Sequence, residues 1–175
     1  MQNNLGNFLQ SITNNDITVI QRITEHITQI VAEVMIASER ETGWVSLRAT
    51  VPTDAYDIPR WHMDGYYFNP AGPHEMLYKY VVTLRGPATL FYPLCYEERK
   101  KVCRKTKYRD YMAQFCKKDS IVQPQQGQGA FLIGGRIPQA ALHSEPQMHE
   151  PRLFLSVVPC NANQLIELKK KVRLT

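Results

Sequence analysis

The first long periodic segment of the chain is predicted to be an amphipathic helix at residues 16–40. Asn15 or Asp16 is a suitable N-cap for it, and Gly43 is a suitable stop. The apolar positions recur at steps of three and four residues, which places them on one helical face: Ile17, Ile20, Ile23, Ile27, Ile30, Val31 and Val34. We expect this face to pack against a sheet, so that residues 1–43 form a helical support.

After Gly43 the pattern changes to short apolar runs separated by turn residues. The segments with this character are typical of strands: 44–51, 77–92 (two strands around the turn at 86–87), 130–133 and 153–158. One front helix followed by many short strands favours a mainly β sandwich or barrel with helical decoration. No domain boundary is evident, so we expect a single domain over 1–175 with its β core at 44–160.

Composition excludes several classes of protein. The chain has 175 residues, of which 43% are hydrophobic and 21% charged. These values are those of an average globular protein, and they exclude a wholly disordered, collagen-like or coiled-coil chain. No apolar run approaches the roughly 20 residues of a membrane helix, and no secretory signal is evident. The four cysteines form no CxxC pair, so we expect free thiols in the cytoplasm or another reducing compartment.

The positive charge of the chain is concentrated in one segment, 97–119, which we call the basic insert. It carries nine basic and four acidic residues, an excess equal to the whole net charge of +5. Such a segment attracts anionic partners. Tyr108, Tyr111 and Phe115 are interleaved with the charges, a composition compatible with single-stranded nucleic acid. It is equally compatible with a solvated basic helix whose aromatic residues face the core.

A metal-ligand pattern stands in the loop-rich stretch after the first strand. His62 and Asp64 are two residues apart, so in an extended chain they point to the same side. His143, after a strand-like run, offers a second imidazole. Two histidines and one carboxylate are the ligand set of the facial triad that binds Fe(II). The alternatives are an ordinary loop histidine with a turn-capping aspartate, and His149 in place of His143.

Arg152 stands nine residues after His143, at the start of the last apolar strand. A basic side chain in a core strand needs an anionic partner, because burying an unpaired charge is costly. The planar guanidinium suits bidentate binding of a carboxylate. That carboxylate could belong to a ligand, or to Glu145 or Glu150 in a salt bridge.

The combination of residues 62–64, His143 and Arg152 resembles the HxD…H…R signature of Fe(II)/2-oxoglutarate-dependent dioxygenases, over about residues 44–160. The resemblance implies a double-stranded β-helix (jelly roll, cupin-like) with a supporting N-terminal α-helix. It implies Fe(II) held by the two histidines and the aspartate, with Arg152 on the distal carboxylate of 2-oxoglutarate. It also implies molecular oxygen as a reactant and a hydroxylation or demethylation that releases succinate and CO2.

Further candidate residues follow from position alone. Three residues on the strand after the HxD loop could add a hydrogen bond to the cosubstrate, or be ordinary strand residues: Tyr78, Tyr80 and Thr83. Three others could contact a substrate, or serve only packing and loop anchoring: Tyr66, Tyr67 and His74.

Two other functions remain open at this stage. One is a non-catalytic jelly-roll module that holds an anionic partner through the basic insert. The other is a cupin-like metal enzyme with the same ligands and no 2-oxo acid. The oxygenase interpretation leads because it accounts for Arg152 together with the ligands. The substrate class stays open between a protein side chain, a nucleic acid and a small molecule.

Overall fold

A computed structural model describes residues 2–14, 16–68, 77–102, 105–135, 137 and 139–173. The α-helices within these ranges are α1 (Gln2–Ile12), α2 (Ile17–Ala37), α3 (Tyr96–Val102), α4 (Arg109–Phe115) and α5 (Ala162–Arg173). The strands are β1 (Thr42–Thr50), β2 (Leu77–Arg85), β3 (Leu90–Phe91), β4 (Gly129–Gly134), β5 (His143–Ser144) and β6 (Arg152–Cys160). None of the described helices combines the length and the apolar character needed to cross a membrane.

The strands form two antiparallel sheets. The larger sheet has four strands in the order β1-β6-β2-β4, and the smaller one pairs β3 with β5. Strand β6 pairs with both β1 and β2, and almost every residue in it is buried. Because side chains alternate across a strand, Leu155 and Val157 belong to one face of the larger sheet, and Arg152 and Phe154 belong to the other.

Helix α2 covers the face of the sheet that carries Leu155 and Val157. Its buried stripe packs against these two residues and against Val82 of β2. Burying each such aliphatic side chain contributes about 1.5–3 kcal/mol. The Asp16 carboxylate accepts a hydrogen bond from the Thr18 backbone N–H at 2.6 Å, which caps the first turn. The predicted helix, its N-cap and its packing on a sheet are therefore confirmed. Its expected end is wrong, because the helix ends at Ala37 with Ser38 as C-cap, and Gly43 lies in β1.

A second core cluster lies beneath the basic insert. Val102 of α3 and Met112 of α4 are buried there against Trp61 and Leu142. Two basic residues of the insert hold neighbouring loops: Arg99 donates to the backbone carbonyl of Gln139, and Arg109 donates to that of Ile58. The insert is thus partly helical, and two of its basic side chains stabilise neighbouring loops.

The balance of helix and strand differs from the expected mainly β chain. Helices make up 38% and strands 27%, so the fold is a mixed one with antiparallel sheets. The difference arises chiefly from helices α1, α3, α4 and α5. Each has at most 12 residues, so apolar periodicity runs for too few turns to predict a helix with the clarity of the 21-residue α2.

Candidate metal centre

A short antiparallel bridge brings two histidines together. The His62 N–H donates to the His143 carbonyl at 2.8 Å, and the His143 N–H donates to the His62 carbonyl at 3.0 Å. The two imidazole rings consequently lie side by side, with their centroids 4.3 Å apart. Asp64 follows two residues after His62, and one ligand atom from each of the three side chains lies within 4.8 Å of the others. His149 is not part of this cluster.

Backbone carbonyls orient both imidazoles. The Nδ1 atom of His62 lies 2.8 Å from the Arg60 carbonyl oxygen, and the Nδ1 atom of His143 lies 3.0 Å from that of Ala141. A carbonyl only accepts, so Nδ1 carries the proton and Nε2 keeps its lone pair for a ligand. The Nε2 atoms lie 3.8 and 3.7 Å from the Asp64 carboxylate oxygens. The three donor groups therefore converge without bonding one another.

The two oxygens of Asp64 have different surroundings. Oδ2 accepts hydrogen bonds from the Tyr67 hydroxyl and from the Lys79 ammonium, the latter at 2.9 Å. Oδ1 makes no hydrogen bond with the described residues. Burial alone raises the pKa of the carboxyl, but His143, Lys79 and Tyr67 outweigh it and bring the pKa to about 2. An ionised carboxylate with one oxygen held and the other available is the usual form of a ligand with supporting hydrogen bonds.

The protonation state of His143 also fits a metal ligand. Burial and the neighbouring His62 lower the pKa of His143 to about 4. The ring is therefore neutral at pH 7, as a metal ligand must be. Two imidazoles and one carboxylate fit a divalent transition metal, Fe(II) among them, and leave further coordination positions open.

Arg152, the first residue of β6, lies at one end of the same site. Its side chain is buried, and its Nε donates to the Pro87 carbonyl at 2.9 Å. Its Nη2 donates to two hydroxyls, that of Thr89 at 2.8 Å and that of Thr83 at 3.2 Å. Nη1 makes no hydrogen bond with any residue that the structure describes. These neutral acceptors orient the guanidinium and leave one of its nitrogens for a ligand.

No carboxylate in the described part of the chain pairs with this guanidinium. Glu145, one of the two partners considered from the sequence, forms its ion pair with Arg60. Burial lowers the pKa of Arg152 to about 10, so the group is still charged at neutral pH. Glu145 acts on Arg152 only through its charge and at a distance, and the hydrogen-bond acceptors of the guanidinium are all neutral. This arrangement favours the alternative in which the anion comes from a ligand.

The three candidate ligand residues and Arg152 line one cavity of about 320 Å³. This volume is at the lower end of the roughly 300–1,000 Å³ typical of small-molecule sites. Val81 of β2 and Phe154 of β6 contribute apolar surface to its wall. The cavity therefore suits small polar ligands with a short apolar section.

The other residues singled out from the sequence separate into groups. Thr83 contacts Arg152, as described above. Tyr78 and Tyr80 belong to the other face of β2: Tyr80 packs on the α2 side, and Tyr78 is 41% exposed. The prediction that Tyr78 and Tyr80 contact the cosubstrate is therefore wrong. Side chains alternate between the two faces of a strand, and only the face with Thr83 is turned towards the cavity.

The substrate candidates also have different positions. Tyr67 lines the cavity, but its hydroxyl is bound to Asp64. Tyr66 is 44% exposed, and its ring lies over Gly135 rather than in the cavity wall. His74 lies outside the described residues.

Sequence reasoning missed three cationic residues of the cavity, Lys79, Arg48 and Arg60. Lys79 could have been found, because it shares strand parity with Thr83 and so faces the same side of β2. Arg48 lies on β1, and its position depends on the pairing of β1 with β6.

Comparison of the chain with protein-family models, with curated proteins and with solved structures finds no match.

The turn between β2 and β3 also shapes the site. Gly86 has φ of +83°, and a Cβ atom there would collide with the Pro151 carbonyl and approach the Arg152 backbone. We expect Gly86→Ala to lower the free energy of unfolding by more than about 1 kcal/mol, because it adds a clash to an unfavourable φ. Gly127→Ala is the matched control, since Gly127 has φ of +81° in open space. Equal losses for the two variants in urea unfolding would contradict the role of the clash.

Proposed function

We propose that this protein is an Fe(II)- and 2-oxoglutarate-dependent oxygenase that hydroxylates or demethylates a substrate and releases succinate and CO2. The observation that carries the proposal is the convergence of His62, Asp64 and His143 with Arg152 in one cavity. The metal cluster alone is compatible with many chemistries. The buried arginine, which has no carboxylate partner among the described residues, is what favours a carboxylate cosubstrate.

Each residue has a distinct part in this proposal. His62, Asp64 and His143 would hold the metal ion, and Nη1 of Arg152 would bind the distal carboxylate of 2-oxoglutarate. Fe(II) with bound 2-oxoglutarate supplies the activation of molecular oxygen for attack on a C–H bond. The protein orients these groups through the hydroxyls on Arg152 and through the hydrogen bonds to the imidazoles and to Asp64. Phe154 and Val81 limit the access of water to the cavity wall.

The proposal includes the finer fold assignment, a double-stranded β-helix. Its support is the origin of the site residues from two antiparallel sheets. His143 belongs to β5 of the smaller sheet, and His62 is bridged to it. Arg152 belongs to β6 of the larger sheet. A cavity between two sheets is the usual location of a ligand site in a jelly roll.

The test is a titration of 2-oxoglutarate into the Fe(II)-loaded protein without oxygen, followed by the visible metal-to-ligand charge-transfer band. We expect a saturable band in the wild-type protein. Arg152→Ala should weaken 2-oxoglutarate binding by about 10- to 100-fold, because it removes a charged hydrogen-bond donor from a carboxylate. Arg152→Lys should be intermediate, since it keeps the charge and loses the planar fork.

Two matched controls make this result specific. Arg22→Ala removes an exposed arginine of α2 that is not part of the cavity lining, and it should leave the titration unchanged. His62→Ala should abolish the band, whereas His26→Ala, on the exposed side of α2, should retain it. A folded, iron-replete wild-type protein that develops no band would overturn the proposal. In that case a metal enzyme without a 2-oxo acid, or an anion-binding module, would be the better interpretation.

A further inference from the structure

The cavity carries more positive charge than the proposed metal and cosubstrate require. Its lining contains four cationic side chains and two carboxylates: Arg48, Arg60, Lys79, Arg152, Asp64 and Glu145. The net charge of this lining is therefore +2. A divalent metal ion would add two positive charges, and the 2-oxoglutarate dianion would remove two. A surplus of two positive charges remains, and it has to be met by solvent or by a further ligand.

Pairing within the cavity shows which residue carries unassigned charge. Arg60 is paired with Glu145, and Lys79 is paired with Asp64. Arg152 is assigned to the cosubstrate by the proposal above. Arg48 makes no hydrogen bond and no ion pair with any described residue. It is thus the cation in this lining for which neither the described residues nor the proposed cosubstrate supplies a partner.

The strand register places Arg48 on the same face as the site. Arg48 lies directly opposite Phe154 in the β1–β6 pair, and Thr50 lies opposite Arg152. Arg48 and Arg152 are therefore diagonal neighbours on one face, a relation with a separation of about 7–8 Å. Burial is the main cause of the lowered pKa of Arg152, and the charge of Arg48 adds to it. Arg48 is exposed, which places it at the mouth of the cavity.

We propose that Arg48 binds an anionic group of the substrate, so that the protein acts on a small organic anion bearing a carboxylate or a phosphate. This inference rests on the proposed oxygenase function. A guanidinium binds either anion in a bidentate manner. The cavity is at the small end of ligand sites and is shared with the cosubstrate, so only a small group fits beside the metal. The anion at Arg48 then orients the remainder of the substrate towards the metal.

The test measures charge selectivity in the protein loaded with Fe(II) and saturating 2-oxoglutarate, without oxygen. The probes are two matched pairs, benzoate with benzamide and phenyl phosphate with phenol, and the readout is isothermal titration calorimetry. We expect the anion of a pair to bind at least about 10-fold more tightly than its neutral partner, the effect of one charge-assisted bidentate contact. Comparison of the two pairs shows whether a carboxylate or a phosphate is preferred.

Variants connect this selectivity to Arg48. Arg48→Ala should reduce the preference for the anion to less than about 3-fold, and Arg48→Lys should retain part of it. Arg22→Ala, which changes a residue outside the cavity lining, should bind the probes as the wild-type protein does. The charge-transfer titration of Arg48→Ala should give a 2-oxoglutarate affinity within about threefold of wild type, in contrast to Arg152→Ala.

The possible failures are distinguishable. A wild-type protein with no preference for the anions, or an Arg48→Ala variant that keeps the full preference, would overturn the inference and leave the oxygenase proposal intact. Loss of 2-oxoglutarate affinity in Arg48→Ala, to the extent seen in Arg152→Ala, would assign Arg48 to the cosubstrate and overturn the inference as well. Absence of the charge-transfer band in the wild-type protein would instead overturn the proposed function, and the substrate inference with it.

Discussion

Replacing Asp64 with alanine is expected to weaken Fe(II) binding by more than about 100-fold, a larger loss than removal of a supporting hydrogen bond causes. Asp64 is the anionic member of the ligand set, and its pKa of about 2 keeps it ionised at neutral pH. Without it, only the two imidazoles remain to hold the ion, and the nearby Lys79 ammonium loses its ion-pair partner. Equilibrium dialysis under anaerobic conditions, with metal analysis of the protein, measures the affinity.

Two further variants separate ligand loss from misfolding. Asp64→Asn keeps an oxygen that can accept from Tyr67 and Lys79, and we expect its Fe(II) affinity to lie between those of wild type and Asp64→Ala. Asp54→Ala removes an exposed aspartate outside the ligand cluster and should bind Fe(II) as the wild type does. A folded Asp64→Ala protein that keeps wild-type affinity would show that these three residues do not form the metal site.

Truncation of Leu155 to alanine is expected to lower the free energy of unfolding by about 2–5 kcal/mol. Leu155 has no exposed surface and stands in the middle of β6. It belongs to the cluster in which Ile27 and Val31 of α2 pack on the sheet. Truncation would leave a cavity at this contact, since the surrounding strands and helix can close only partly around it. Urea unfolding followed by circular dichroism should show a lower midpoint with an unchanged slope.

Ile36→Ala is the matched control for this measurement. Ile36 lies on α2, outside this cluster, and 78% of it is exposed. Its truncation should change stability by no more than about 0.5 kcal/mol. If Leu155→Ala were as mild as Ile36→Ala, the sheet–helix contact would not be the principal core that the burial pattern indicates.

The local elements of the fold could be predicted because their signals are local. The stripe of α2 repeats over 21 residues, and Asp16 caps it through a contact only two residues away. The runs at 44–51, 130–133 and 153–158 correspond to β1, β4 and β6. The pairing of the strands could not be predicted from local signals. The two strands expected at 77–92, for example, do not pair with each other. Strand β2 joins the larger sheet, while β3 pairs with β5.

The candidate site also combines residues that local spacing indicates with a residue that only a long-range contact brings near. The HxD spacing brings His62 and Asp64 to one side of an extended chain, so the sequence by itself indicated this pair. It also indicated that Arg152, at the start of an apolar strand, needs an anion. The convergence of His143 with that pair required the backbone bridge between residues 62 and 143, which joins segments far apart in the chain.

The apolar helix face, the strand runs and the candidate ligand pair His62 and Asp64 could be inferred from the sequence alone, because each depends on spacing within a few residues. Long-range folding settles that Glu145 pairs with Arg60 and that Arg152 has no carboxylate partner among the described residues. It also decided that Lys79 and Arg48 line the cavity while Tyr78 and Tyr80 do not. The physical reason is that these outcomes depend on the register and the facing of distant strands, where a shift of one residue moves a side chain to the opposite face of the sheet.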